Sequence, residues 1–265
     1  MIDIFVALAF LLAAAGAVLI TWNKFAGRPR NRIFQVVRIG IVLLALIPLE
    51  AYGAYRLMNA RGFQFFGEIV PRVETNRSAV ALTFDDGPRG NVESFLNTLD
   101  TLGVKTTFFV NGGDLARDIE STRAIVAAGH EIGNHSRTHQ RMIFRSLGFI
   151  RSEIEGTDSL IREAGYTGAI HFRPPYGKKL LALPWYLSRT GRKTIMVDLE
   201  PDSYIRRDSE AIVDHVLERA RPGSIILLHI FGVRASREAV PGIVAGLRKR
   251  GLDFVTVSEL LGAET

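Results

Sequence analysis

The sequence predicts an α/β fold: a distorted (β/α) barrel of about seven strands, preceded by an N-terminal transmembrane helical hairpin. Three observations carry that prediction. Two long apolar runs open the chain, with a basic turn between them. Beyond them, short strand-like runs alternate with longer amphipathic ones over about two hundred residues, the pattern of parallel strands joined by crossover helices. Finally, polar residues capable of chemistry fall directly after the strand-like runs, at the end of a barrel where sites assemble.

The chain has 265 residues, 47% of them hydrophobic and 23% charged, which is enough to bury a core and excludes collagen-like, low-complexity and disordered classes. It contains no cysteine, so disulfides and thiolate metal sites are excluded and any metal must sit on His, Asp or Glu. The net charge of +6 is unevenly placed. Lys24, Arg28, Arg30, Arg32, Arg38 and Arg56 face only Asp3 and Glu50 in the first 57 residues. Most of the basicity therefore surrounds the apolar segments, and no nucleic-acid face is expected.

The first apolar run, about residues 2–21, carries one charge, Asp3. About 20 residues at roughly 1.5 Å each match a bilayer core of about 30 Å. A cleaved leader carries its bases ahead of the apolar stretch, whereas here they follow it, so the run reads as a span. The second run, about 33–55, contains Arg38, Pro48 and Glu50 and reads as the returning span. The bases from Lys24 to Arg38 belong on the cytoplasmic side, which puts both termini outside. The expected organisation is a hairpin (1–57), a connector (58–77) and an α/β domain (78–265), multi-pass in the plasma membrane with that domain extracytoplasmic.

Within the last segment, Ala79–Phe84, Thr106–Val110, His130–His135, Ala169–Arg173, Thr194–Asp198, Ser224–His229 and Asp253–Thr256 read as strands. Helical patterns cover Val92–Leu102, Leu115–Ala128, Arg145–Glu163, Asp208–Arg221 and Ser236–Arg250. Neither an internal repeat nor a Gly/Ser linker divides the region.

The chemistry concentrates in a few stretches. His135-Ser136-Arg137-Thr138-His139 sets two imidazoles four apart, one face of a helical turn. Alone, such a pair does not distinguish ligands from surface histidines. Thr83-Phe84-Asp85-Asp86-Gly87-Pro88 adds two adjacent carboxylates at a strand end. A turn or helix cap explains one of them but not both, because they repel and resist burial. Two His and one Asp make the three-donor set of an open catalytic zinc site.

TFDDGP, HSRTH, FRPPYG and GSIILLH occur in the order and approximate spacing of the polysaccharide deacetylase family (the NodB-homology, carbohydrate esterase 4 group). The chain resembles that family from about Val80 to Leu260; the hairpin lies outside the resemblance. By position, the resemblance implies that Asp86, His135 and His139 bind a divalent metal, usually zinc. It makes Asp85 the general base and His229 the general acid. It has Arg173 orient Asp85, the backbone N–H of Tyr176 bind the oxyanion, and Leu227 line an acetyl-methyl pocket. One stretch departs from the family. Where many members have an Asp four residues before a Trp, this chain reads Val197-Asp198-Leu199-Glu200-Pro201-Asp202-Ser203-Tyr204. Spacing from Tyr204 points to Glu200, and position after the strand points to Asp198, which is preferred as the acid holding Arg173. Tyr204 stands either as an aromatic wall for the substrate or as a core tyrosine. His130 is expected to make a structural hydrogen bond beneath the site, and His171 and His215 to have no chemical role.

The resemblance implies a metal-dependent N-deacetylase of N-acetylated amino sugars in peptidoglycan or an exported N-acetylglucosamine polymer. Two alternatives stay open: a deformylase or deacetylase of a lipid-linked amino sugar, and a non-catalytic envelope glycan-binding protein. The residue pattern leaves the oligomeric state unspecified.

Overall fold

The structure, a computed structural model, describes residues 32–90 and 92–262 together with Gly16. The chain divides between Phe63 and Gln64 into two compact units. In the first, helix α1 (Arg32–Asn59) runs for 28 residues with Pro48 inside it. It coincides with the second expected span, while the first, at 2–21, lies outside the described residues. Among the described residues no helix is long and apolar enough to cross a membrane. Arg38, Pro48 and Glu50 interrupt the apolar run of α1. The described residues therefore do not bear out the second span, and the hairpin as a whole lies partly outside them.

The second unit alternates strands and helices as expected, in a ring of parallel pairing. In chain order it contains β1 (Ile69–Val70), β2 (Ala79–Gly87), α2 (Glu93–Thr101), β3 (Thr107–Val110), α3 (Gly112–Leu115) and α4 (Ile119–Ala127). There follow β4 (Glu131–Asn134), α5 (Leu147–Glu163), α6 (Ala182–Arg189), β5 (Thr194–Ile195), α7 (Ser209–Arg219), β6 (Ile225–Leu228), α8 (Arg234–Lys249), β7 (Asp253–Val255) and α9 (Val257–Leu260). The long β2 pairs with β3, β6 and β7, and β3 pairs with β4. Single parallel bridges carry the ring onward, from Asn134 to Phe172, from Phe172 to Thr194 and from Leu199 back to Ile226. β1 pairs with β5.

Three differences from the sequence reading have physical causes. Expected strand 169–173 contracts to the bridge at Phe172, because Pro174 and Pro175 have no N–H to extend a ladder. The connector contains β1. The helix expected over 115–128 is two helices, because the Asp118 side chain accepts from the Ser121 N–H and starts α4 afresh.

Alternation along β2 sorts the core into two layers. Val80, Leu82 and Phe84 face outward into the cluster shared with the helices, including Phe95, Ile212 and Ile243. Ala79 and Ala81 face inward with Phe109, Ile225 and Leu227. Thr83 and Asp85 continue the inward row, so the interior turns polar at the C-terminal end of the strand.

Candidate active site

A strand would send adjacent aspartates to opposite faces. The register between β2 and β3 shifts between Asp85 and Gly87, and Asp86 at that bulge has φ of 64°. The bulge re-aims one side chain, and both carboxylates reach the same imidazole: His135 Nε2 lies 3.6 Å from Asp85 Oδ2 and 3.7 Å from Asp86 Oδ1. His139 Nε2 lies 3.0 Å from Asp86 Oδ1.

The two histidines do not share a helical turn, as their spacing suggested. They flank an irregular loop in which Ser136 and His139 are left-handed, with φ of 68° and 56°. Among the described residues, four of the five non-glycines at positive φ belong to this region: Asp86, Ser136, His139 and Tyr176. Each costs on the order of 1–3 kcal/mol, and such strain gathers at functional sites.

One ligand atom from each of Asp86, His135 and His139 lies within 4.8 Å of the others. The donors suit a divalent cation: two bonds of about 2.0–2.2 Å join ligand atoms up to about 4.4 Å apart, and Asp86 Oδ1 lies 3.7 Å from His135 Nε2 and 3.0 Å from His139 Nε2. Their protonation fits as well. His135 Nδ1 lies 2.8 Å from the Arg173 carbonyl oxygen, which only accepts, so Nε2 presents its lone pair inward. Burial pushes the His135 pKa down, against the charges of Asp85 and Asp86, and favours the neutral ring that metals bind. For Asp86, burial works upward. The hydrogen bond with His139 and the charges of His135, His139 and His229 overcome it and hold the carboxyl well below the usual range.

Asp85 stands beside this trio with a partner of its own. Arg173 Nη1 donates to Asp85 Oδ1 at 2.7 Å and to Thr83 Oγ1 at 2.8 Å, and Nη2 reaches the Met196 carbonyl at 3.4 Å. The guanidinium lies over the Phe109 ring, 3.9 Å from its centroid. Both members of the pair are buried. The guanidinium of Arg173 occupies Oδ1 and leaves Oδ2 turned towards His135.

Across the site, His229 Nε2 lies 3.9 Å from Asp86 Oδ2. Its orientation comes from Asp202, a residue the sequence reading missed. Asp202 Oδ1 lies 3.1 Å from His229 Nδ1, and Oδ2 accepts from the His229 backbone N–H at 2.5 Å and from Ser236 Oγ at 2.6 Å. Burial lowers the His229 pKa, but the hydrogen bond to Asp202 and the charges of Asp85, Asp202 and Asp86 outweigh it and raise the value to about 9. Asp198, expected to hold Arg173, instead accepts from Ser224 Oγ and the Ile225 N–H, both at 2.8 Å. Glu200 accepts from Ser203 Oγ. Of these three acids, Asp202 is the one in contact with His229. The short turn Pro201–Ser203 folds Asp202 back beneath it.

Tyr176 sits in the turn Pro175–Gly177 at φ of 58°, its ring centroid 4.7 Å from that of His139. Leu227 is the register partner of Thr83 on the neighbouring strand β6 and is buried. Tyr204 is exposed and its hydroxyl hydrogen-bonds His215 at 2.7 Å, so it is neither a core tyrosine nor bonded to the trio. His130 is buried, and its Nδ1 accepts from the Thr106 N–H as expected of a structural histidine. His171 hydrogen-bonds Ser258.

Comparison with known proteins adds relatives to this geometry. Residues 72–195 match the family described as Polysaccharide deacetylase. The chain is 32% identical over 200 residues to a peptidoglycan-N-acetylglucosamine deacetylase of Bacillus cereus, covering 74% of this chain and 93% of that one. It is 34% identical over 187 residues to a bifunctional xylanase/deacetylase of Pseudobutyrivibrio xylanivorans, covering 70% of this chain but only 31% of that one. Among solved structures, a peptidoglycan N-acetylglucosamine deacetylase in complex with an N-oxidanyl-benzamide superposes with a TM-score of 0.68 at 27% identity, covering 71% and 90% of the two chains. The chain spans well under half the length of several curated relatives, 31% to 41% in three of them.

Proposed function

The chain belongs to the polysaccharide deacetylase family, and on that premise we propose that it is a metal-dependent N-deacetylase. Its substrate in this reading is the acetamido group of N-acetylated amino sugars in an envelope or exported polysaccharide, of the peptidoglycan or poly-N-acetylglucosamine type. One observation carries the proposal. A three-donor cation site is flanked by a carboxylate paired with Arg173 and an imidazole held protonated by Asp202.

Asp86, His135 and His139 would hold the ion, for which zinc suits the donor set. When bound, it supplies Lewis acidity and a water of lowered pKa. The chain's own groups do the rest. Asp85, paired with Arg173 through Oδ1, accepts a proton from the attacking water on Oδ2. The backbone N–H of Tyr176 donates to the carbonyl oxygen as charge builds on it, in a turn that the two prolines make stiff. His229, as imidazolium, gives its proton to the departing nitrogen as the C–N bond breaks, because an amide anion cannot leave unprotonated. Acetate and the free amine are the products. Leu227 offers an apolar wall for the acetyl methyl. Acetate release from chitin oligomers and peptidoglycan by the zinc-loaded full chain tests the reading; no acetate from either glycan would overturn it.

The pH profile carries a signed expectation. The general acid works only while protonated, so His229, at about 9, allows activity well above neutrality. Asp202→Asn removes the anion that raises it, and the basic limb of kcat/KM is expected to move to lower pH by about one unit or more. The loss relative to the unaltered chain then grows as pH rises from neutral. A limb that stays in place would exclude Asp202 as the group poising His229.

The proposed location is the plasma membrane, multi-pass, with the catalytic unit outside. The apolar run at 2–21, the bases that follow it and the exposed Ile33, Val36, Val37, Leu44 and Ile47 on α1 support it. Reporters fused after Lys24 and after Thr265 are expected on opposite sides; same-side signals would refute it.

A further inference from the structure

We infer that Glu153 on α5 is a positioning residue for the cation site, setting the affinity for a divalent ion by fixing the backbone between its two histidines. The inference rests on the reading of Asp86, His135 and His139 as the ion's donors. The loop joining the two imidazoles is no regular element and includes two left-handed non-glycines, Ser136 and His139. Such a conformation persists only where its surroundings over-determine it. Glu153 supplies the central restraint. Its Oε2 accepts from the backbone N–H groups of Arg137 at 3.0 Å and Thr138 at 2.8 Å, and its Oε1 accepts from Thr138 Oγ1 at 2.9 Å. These three donors come from two residues, both lying between the ligands.

Local bonds flank that restraint. Asn134 Oδ1 accepts from the Ser136 N–H, and Ser136 Oγ accepts from the His139 N–H. The N–H groups of Gly112 and Gly113 donate to the carbonyls of Ser136 and Arg137. Helix α5 grips a second point, since Asn134 Nδ2 donates to the Ile154 carbonyl at 2.9 Å and to Asp158 Oδ1 at 2.7 Å. Close approach is built into the helix surface: a Cβ at Gly156 would stand 3.1 Å from Arg137 Nη1. Glu153 is 4% exposed, so its loss takes the protein acceptor from three donors in the interior. A buried acid that served the fold alone would change unfolding and leave the ion's affinity untouched. This one restrains the segment that carries His135 and His139, so its removal lets the ligands drift while the fold stands.

The test is zinc affinity, measured by chelator competition on the full chain, with the absorption spectrum of the cobalt-substituted protein as a report on ligand geometry. Glu153→Ala is expected to weaken zinc roughly ten- to a hundredfold and to change the cobalt spectrum. Glu153→Gln keeps an oxygen for the two backbone N–H groups, and its affinity is expected within a few-fold of the unaltered chain. Thr138→Val, which removes one hydroxyl and leaves α5 intact, is expected to weaken zinc measurably and decides the matter if Glu153→Ala does not fold. Unchanged affinity and spectrum in a folded Glu153→Ala, or in Thr138→Val, would overturn the inference. Affinity lost in His139→Ala but kept in Glu153→Ala overturns the inference alone, whereas affinity indifferent to His139→Ala overturns the reading of the site as well.

Discussion

Asp85→Asn is expected to lower kcat by about a hundredfold to ten-thousandfold while the chain keeps its bound ion. The change is nearly isosteric. An amide oxygen still accepts from Arg173 Nη1, and the hydrogen bond from Arg173 to Thr83 is untouched. What disappears is the basic oxygen facing His135. Because Asp85 is not one of the three clustered donors, ion stoichiometry should hold while turnover falls. The variant will also be less stable. Arg173, buried on every side, loses its counter-charge, and a broken buried pair costs on the order of 3–5 kcal/mol. Kinetics below the variant's own Tm, with metal analysis of the same sample, separate the two effects. Wild-type kcat in Asp85→Asn would remove Asp85 from the reaction.

His139→Ala is expected to abolish both ion binding and turnover. Two donors would remain, Asp86 and His135, with ligand atoms 3.7 Å apart and no third arm to close the set. The loss should exceed the roughly hundredfold that removal of a merely supporting contact costs. His139 also takes part in the hydrogen bond that holds Asp86 ionised, so its removal raises the Asp86 pKa and weakens a second donor. Metal content after exhaustive dialysis reads the first effect and acetate release the second. A dialysed variant that keeps one ion per chain would contradict the ligand set.

The donors were legible because each lies in a short stretch whose residue types have few structural explanations. Two adjacent aspartates at a strand end, and two histidines across three residues, ask for chemistry before geometry is known. The bulge at Asp86 that makes them converge was not legible, since it depends on the pairing of β2 with β3. Asp202 shows the same limit. It lies in the same stretch as Asp198 and Glu200 but is not weighed with them, because its partner lies 27 residues on and only the turn at Pro201–Ser203 brings the two together. Asp198 is favoured by its position just after the strand, and the fold instead sets it against Ser224 and Ile225. Helix α6 left no trace in the reading, because eight residues with Pro184 near the start give too little periodicity to register. Glu153 lies in an ordinary amphipathic helix, where a lone acid reads as surface until its burial is seen.

The central claim is that one cation is held by Asp86, His135 and His139 with Asp85 free beside it. A crystal structure of the zinc-loaded chain, with data collected across the zinc absorption edge, tests it most directly. The account predicts a single anomalous peak within bonding distance of Nε2 of both histidines and one oxygen of Asp86, and Asp85 Oδ1 still on Arg173. A peak elsewhere, or Asp85 drawn in as a ligand in place of one of the three, would contradict it.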